Sequence, residues 1–164
     1  MSHLCIGGPA DGAATALVEE ARAINEATGH RPAVHVSLVL AVWRGHEALA
    51  DELITSGIQD ATGDRRQAGA LADYARSVLH NGLGRYPDAI DAAHRACRQE
   101  DLGVHAWALA ELVEAGVRGG RADIAAEALQ RLERRTPAGG TDWALGIQAR
   151  SRALLADAET ADAL

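Results

Sequence analysis

His94 and Cys97 stand three residues apart in a stretch with helical spacing, so both could reach one metal ion from one helix face. His80 and His105 are the further ligand types nearby. No second paired-ligand motif accompanies them, and Cys97 falls where the chain's internal repeat wants a small buried residue. It reads as a core cysteine, and no metal site is expected. Ser77, His80 and Asp73 have the residue types of a hydrolase. They share one helix, and no nucleophile-elbow motif surrounds the serine, so solvated or groove-facing helix residues explain them more simply than a triad. The glycines of "GGPADG" at Gly7–Gly12 follow no strand, which makes a flexible N-terminus the better reading than a dinucleotide loop. All 16 basic residues are Arg, so no lysine is present to form a Schiff base or to hold a nucleotide phosphate. No catalytic residue, cofactor or enzymatic activity is expected.

The elements that would position these side chains are set by a repeat. "YARSVLHNGLGRYPDAIDAAHRA", Tyr74–Ala96, keeps helical apolar spacing but carries Gly82, Gly84 and Pro87 in its middle. Two helices joined by a tight turn account for this, because a proline costs little at the start of a helix. "GRYPDA" at Gly84 returns as "GRADIA" at Gly120, and "WAL" at Trp107 returns at Trp143, each 36 residues on; "GHEALA" at Gly45 is a looser copy 39 residues before Gly84. A period of this length marks a helix-hairpin solenoid. The fold expected is all-α, a right-handed helix-hairpin superhelix of about seven to eight helices, forming one domain over 1–164. Residues 1–10 would be a flexible N-terminus, 11–29 a capping helix and 30–164 the helix pairs.

First helices are expected near Pro32–Arg44, Gln67–Asn81, Val104–Arg118 and Thr141–Ala156. Second helices are expected near Glu47–Thr62, Pro87–Glu100 and Ala122–Arg135. Thr141 and Asp142 offer an N-cap, and "TPAGG", Thr136–Gly140, reads as a break between units. Val34, Val36, Leu38, Leu40 and Val42 alternate as in a strand; helix is the choice there because every other segment is helical. Ala89 and Ala125, five residues past their turn glycines, should sit where two helices cross closely, with Ala50 and Ala161 in the same place. The fourth unit has barely begun its second helix, near Ala153, when the sequence stops. An apolar end left uncovered in this way implies a fragment, or cover by another chain, with self-association as a homodimer the simplest solution.

In such stacks the first helices line the concave face. By repeat position His35, Trp43, Tyr74, Asn81, Trp107, Glu114, Arg118, Trp143 and Arg150 fall on or near it. This set takes all three Trp and one of the two Tyr, and aromatic and Arg side chains are the usual binding anchors. Trp107 and Trp143 fit equally well as packing between adjacent units. The net charge of −7 argues against nucleic-acid contact. Arg131, Arg134 and Arg135 form one basic cluster, read as cations late in a helix that complement its dipole. Cys5 and Cys97 make no disulfide framework, which fits a reducing cytoplasm. The longest apolar run, Ala33–Trp43, is shorter than the roughly 20 residues of a membrane span.

The glycine turn with a small residue in the second helix resembles tetratricopeptide repeats, in degenerate form. "YARSVLHNGLGRYPDAIDAAHRAC", "WALAELVEAGVRGGR" and "TDWALGIQARSRALL" resemble the helical-repeat region of large ATP-binding LuxR-family transcriptional regulators, over about Leu17–Leu164. In that family an ATPase module precedes this region and a helix-turn-helix follows it. This sequence has neither a phosphate loop nor a basic recognition helix. The resemblance therefore implies a sensing and protein-interaction segment, taking a protein or peptide partner or a small-molecule inducer in its groove. A free-standing tetratricopeptide-like adaptor is the alternative.

Overall fold

The computed structural model describes residues 9–28, 34–59, 65–98 and 103–162. These residues form eight α-helices and no strand: α1 (Pro9–Thr28), α2 (Val34–Trp43), α3 (Glu47–Gln59), α4 (Arg65–Gly82), α5 (Tyr86–Ala96), α6 (Val104–Arg118), α7 (Ala122–Gly139) and α8 (Asp142–Asp162). None of them is long and apolar enough to cross a membrane. The chain divides into two compact units, 1–60 and 61–164.

One turn is built three times. Gly45, Gly84 and Gly120 take φ of 70°, 72° and 68°, a left-handed conformation that favours glycine. Each glycine N–H donates three residues back: Gly45 to Val42, Gly84 to Asn81 and Gly120 to Val117. Each following N–H donates five residues back: His46 to Ala41, Arg85 to His80 and Arg121 to Gly116. This paired pattern is the Schellman motif, which satisfies the orphan carbonyls of a helix end. The next helix starts two residues after the glycine each time, with Pro87 in the first turn of α5, where no intrahelical acceptor is lost. Gly82, by contrast, simply ends α4.

In the first unit α2 packs on α3, with α1 against α2, and the Arg44 guanidinium donates to the Thr15 hydroxyl. The alternating residues of α2 form a helix whose buried positions are Leu38, Ala41 and Val42, a spacing of three and four, while Val36 and Val39 are exposed. In the second unit α4 pairs with α5 and α6 pairs with α7. In addition α6 packs on α4, α5 and α8, and α7 packs on α8. Its core is assembled from Ala89, Ala93 and Ala96 of α5, Leu109, Leu112 and Val113 of α6, Ala125, Leu129 and Leu132 of α7, and Leu155 of α8. Fully buried alanines let helices approach closely. A Cβ placed on Gly116 of α6 would lie 2.9 Å from the Ala125 nitrogen and 3.0 Å from its Cβ.

Four expectations are corrected. The break expected across Thr136–Gly140 is confined to its end. α7 runs on through Pro137 to Gly139, and Gly140, at φ 52°, makes the turn. Proline's fixed φ is itself helical, and the hydrogen bond that its missing N–H forfeits falls in the last turn, where little helix remains to be lost. Second, no second helix begins near Ala153: α8 is continuous to Asp162. The stretch 153–162 contains no glycine or proline to reverse the chain. Third, Ser77 is buried rather than solvated. Thr141 does cap α8, its hydroxyl accepting from the Ala144 N–H at 3.2 Å. Of the flexible terminus expected over 1–10, Pro9 and Ala10 instead begin α1, and 1–8, with Cys5 and the first glycines of Gly7–Gly12, lie outside the described residues. So do the expected helix ends over 29–33, 60–64 and 99–102, and the Ala161 side chain.

Candidate functional site

The second unit gathers seven of the expected groove residues, with Glu111 added, along α4, α6 and α8. Tyr74 of α4, Trp107 of α6 and Trp143 of α8 make a continuous aromatic row. Ring centroids are 5.7 Å apart between Tyr74 and Trp107 and 5.9 Å apart between Trp107 and Trp143, the second pair edge to face. The row climbs outward: Tyr74 is half-buried, Trp107 is 37% exposed and Trp143 is 57% exposed. The Trp side chains therefore pack on one another between adjacent units and still present surface.

A polar row runs one to two turns further along the same helices. Asn81 is buried, and its Nδ2 donates to the Glu111 carbonyl at 3.0 Å and to Glu111 Oε2 at 2.9 Å. Glu114 accepts from Arg118 at 3.0 Å within α6 and from Arg150 of α8. Glu114 and Arg150 are 36 residues apart, one repeat, so the period itself brings these opposite charges side by side. Burial pushes the Glu111 carboxyl above its ordinary range; the Asn81 hydrogen bond opposes this, Glu114 adds to it and Arg150 opposes it. Burial, with the Glu111 charge nearby, pushes the Tyr74 hydroxyl up to about 12, so it is a neutral donor at physiological pH. The face can thus stack a flat or apolar group on the aromatics and meet it with fixed donors and acceptors.

The sequence pattern missed Glu111, which no repeat position singles out; its only trace was a carboxylate four residues after Trp107, on the same helix face. Trp43 belongs to the first unit and is exposed there. The His35 side chain lies outside the described residues.

The chemistry-bearing clusters resolve differently. Ser77 donates to the Tyr74 carbonyl at 2.7 Å, and Asp73 pairs with Arg95 at 3.0 Å and with Arg76 at 3.6 Å, so neither reaches toward His80. Cys97 is buried in the core with its thiol pushed up to about 11 by burial, against the opposing charges of Arg131 and Arg135, whereas His94 is exposed. Among the described residues no three potential ligands gather to hold a metal. No protein-family model, curated protein or solved structure matches this chain.

Proposed function

We propose that this chain is a tetratricopeptide-like sensing and protein-interaction segment of a LuxR-family transcriptional regulator, working in the cytoplasm. Its occupant would be a protein or peptide partner or a small-molecule inducer. The observation that carries the reading is the Tyr74–Trp107–Trp143 row on consecutive first helices of the hairpins, with both Trp rings exposed. Support for the helix-hairpin solenoid behind it comes from one glycine turn at three places and from α6 packing on both α4 and α8. The test is made in the gene's full reading frame. Trp107→Ala with Trp143→Ala is expected to abolish induction of a reporter while the protein accumulates normally. Unchanged induction, or a reading frame without a helix-turn-helix, refutes the regulator. A homodimer through an exposed face of α8 belongs to the same reading. Because Leu155 is already buried in the chain's own core, the exposed Leu145 and Trp143 of α8 are the residues such a contact would cover. Sedimentation showing a strict monomer at high concentration excludes it.

A further inference from the structure

Arg131, Arg134 and Arg135 lie on one side of α7, three and four residues apart, and with His105 of α6 they line a small pocket of about 180 Å³. Like charges at these spacings repel. Six other arginines of the second unit show what relief looks like: Arg76, Arg95, Arg118, Arg121, Arg150 and Arg152 each sit against a carboxylate. Among the described residues no carboxylate or other hydrogen-bond acceptor meets Arg131, Arg134 or Arg135.

The helix dipole does not account for them. α7 continues to Gly139, so its last turn holds no basic residue and the cluster lies a turn back from the end, where the dipole's effect has faded. The pocket's other wall is the start of α6. His105 is the second residue of α6 and only 3% exposed. Three guanidiniums from one helix therefore share one concavity. The volume is well under the roughly 300–1,000 Å³ of pockets for drug-sized ligands, which suits a tetrahedral oxyanion rather than a nucleotide.

We propose that the Arg131–Arg134–Arg135 pocket at the start of α6 binds a phosphate group, either the free ion or a small phosphomonoester. Guanidiniums meet phosphate oxygens in a planar fork with charge-assisted hydrogen bonds, and a bound dianion removes the repulsion within α7. The site is separate from the aromatic face, and its test does not depend on the function of that face.

The whole chain is titrated calorimetrically at neutral pH with inorganic phosphate, with O-phosphoserine and, at matched ionic strength, with chloride. Saturable binding of phosphate but not chloride is expected. Binding of O-phosphoserine as well assigns the site to phosphomonoesters, and its failure assigns the site to the free ion. Arg131→Gln with Arg134→Gln is expected to weaken binding about tenfold or more, since each lost charge-assisted bond is worth that much. Arg134→Gln alone, at an exposed position, gives the same direction without risk to the fold. Arg121→Gln, which removes an equal charge elsewhere, is expected to change nothing. Phosphate behaving as chloride does, or wild-type affinity in either α7 variant, overturns the proposal.

Discussion

Gly116→Ala separates helix propensity from close packing. In an open helix position, replacing Gly by Ala stabilises by about 1 kcal/mol. Gly146 of α8 and Gly69 of α4 are such positions, with nothing within 4 Å of where a Cβ would stand. At Gly116 the new carbon would stand 2.9 Å from the Ala125 nitrogen and 3.0 Å from both the Ala125 Cβ and the Arg121 oxygen. Two of those three atoms are backbone, so α7 has to move as a body and no flexible side-chain tip can yield. Overpacking of this kind costs about 1–3 kcal/mol, which outweighs the propensity gain. Gly116→Ala is expected to lose about 1 kcal/mol net, while Gly146→Ala and Gly69→Ala gain up to about 1 kcal/mol. At about 2–4 °C per kcal/mol for a chain of this size, the difference in Tm is several degrees. Ala125→Leu, pushing three more carbons into the same crossing, is expected to fall further, and Ala89→Leu at the equivalent buried site likewise. Urea and thermal unfolding of the set read the result. Gly116→Ala as stabilising as Gly146→Ala would refute the close crossing and, with it, the register that equates Ala89 with Ala125.

Asn81→Leu is expected to cost roughly 1–3 kcal/mol in urea unfolding, because it strips the Glu111 carbonyl and carboxylate of their shared donor; an unchanged midpoint would show the pair to be incidental. Burial lifts the Glu111 carboxyl above its ordinary 4.5, so the folded chain holds that proton more tightly than the unfolded chain does. Ionising it costs stability progressively as pH rises from about 4.5 through the folded value, and the penalty is complete above that. The stability gained by Glu111→Gln is therefore expected at neutral pH and to shrink as pH falls toward 4.5, whereas a difference constant with pH would contradict the burial argument. The isolated chain is expected to show no sequence-selective binding to duplex DNA in a mobility-shift titration at physiological salt, given its net charge of −7; a submicromolar specific complex would overturn that.

The repeat was legible in the sequence because a left-handed turn demands one residue type at one place. Gly45, Gly84 and Gly120 carry that demand, and the ion pair of Glu114 with Arg150 inherits the same period. Where the signal was a residue that only disfavours helix, the reading failed. Pro137 looked like a break but is absorbed into the end of α7, and an expected hairpin near Ala153 had no glycine to turn on. Contacts between helices of different repeats left almost no trace. Asn81 meets Glu111 across 30 residues, and His105 meets the α7 arginines across at least 26, because packing and not period brings them together. Gly116, which no repeat position singles out, has the missing side chain that lets α7 approach.

The economy of aromatic residues bears on the function. The chain has no Phe, three Trp and two Tyr. A core short of large side chains is filled here by Ala at tight helix crossings, with Leu109, Leu112 and Val113 supplying the bulk. Fully burying a large apolar side chain is worth about 1.5–3 kcal/mol, so a fold selected for stability alone would place its few aromatics inside. Instead Trp107 and Trp143 stand half open in a row, held by each other and by Tyr74. Edge-to-face contact orients the Trp107 and Trp143 rings and lowers the entropy a partner must remove on binding. The buried Asn81–Glu111 bond and the paired charges of Glu114 set fixed polar groups one to two turns away. A rigid, partly exposed aromatic row with pre-oriented polar neighbours has the composition of a binding hot spot. Fold stability alone gives no reason to leave that surface uncovered.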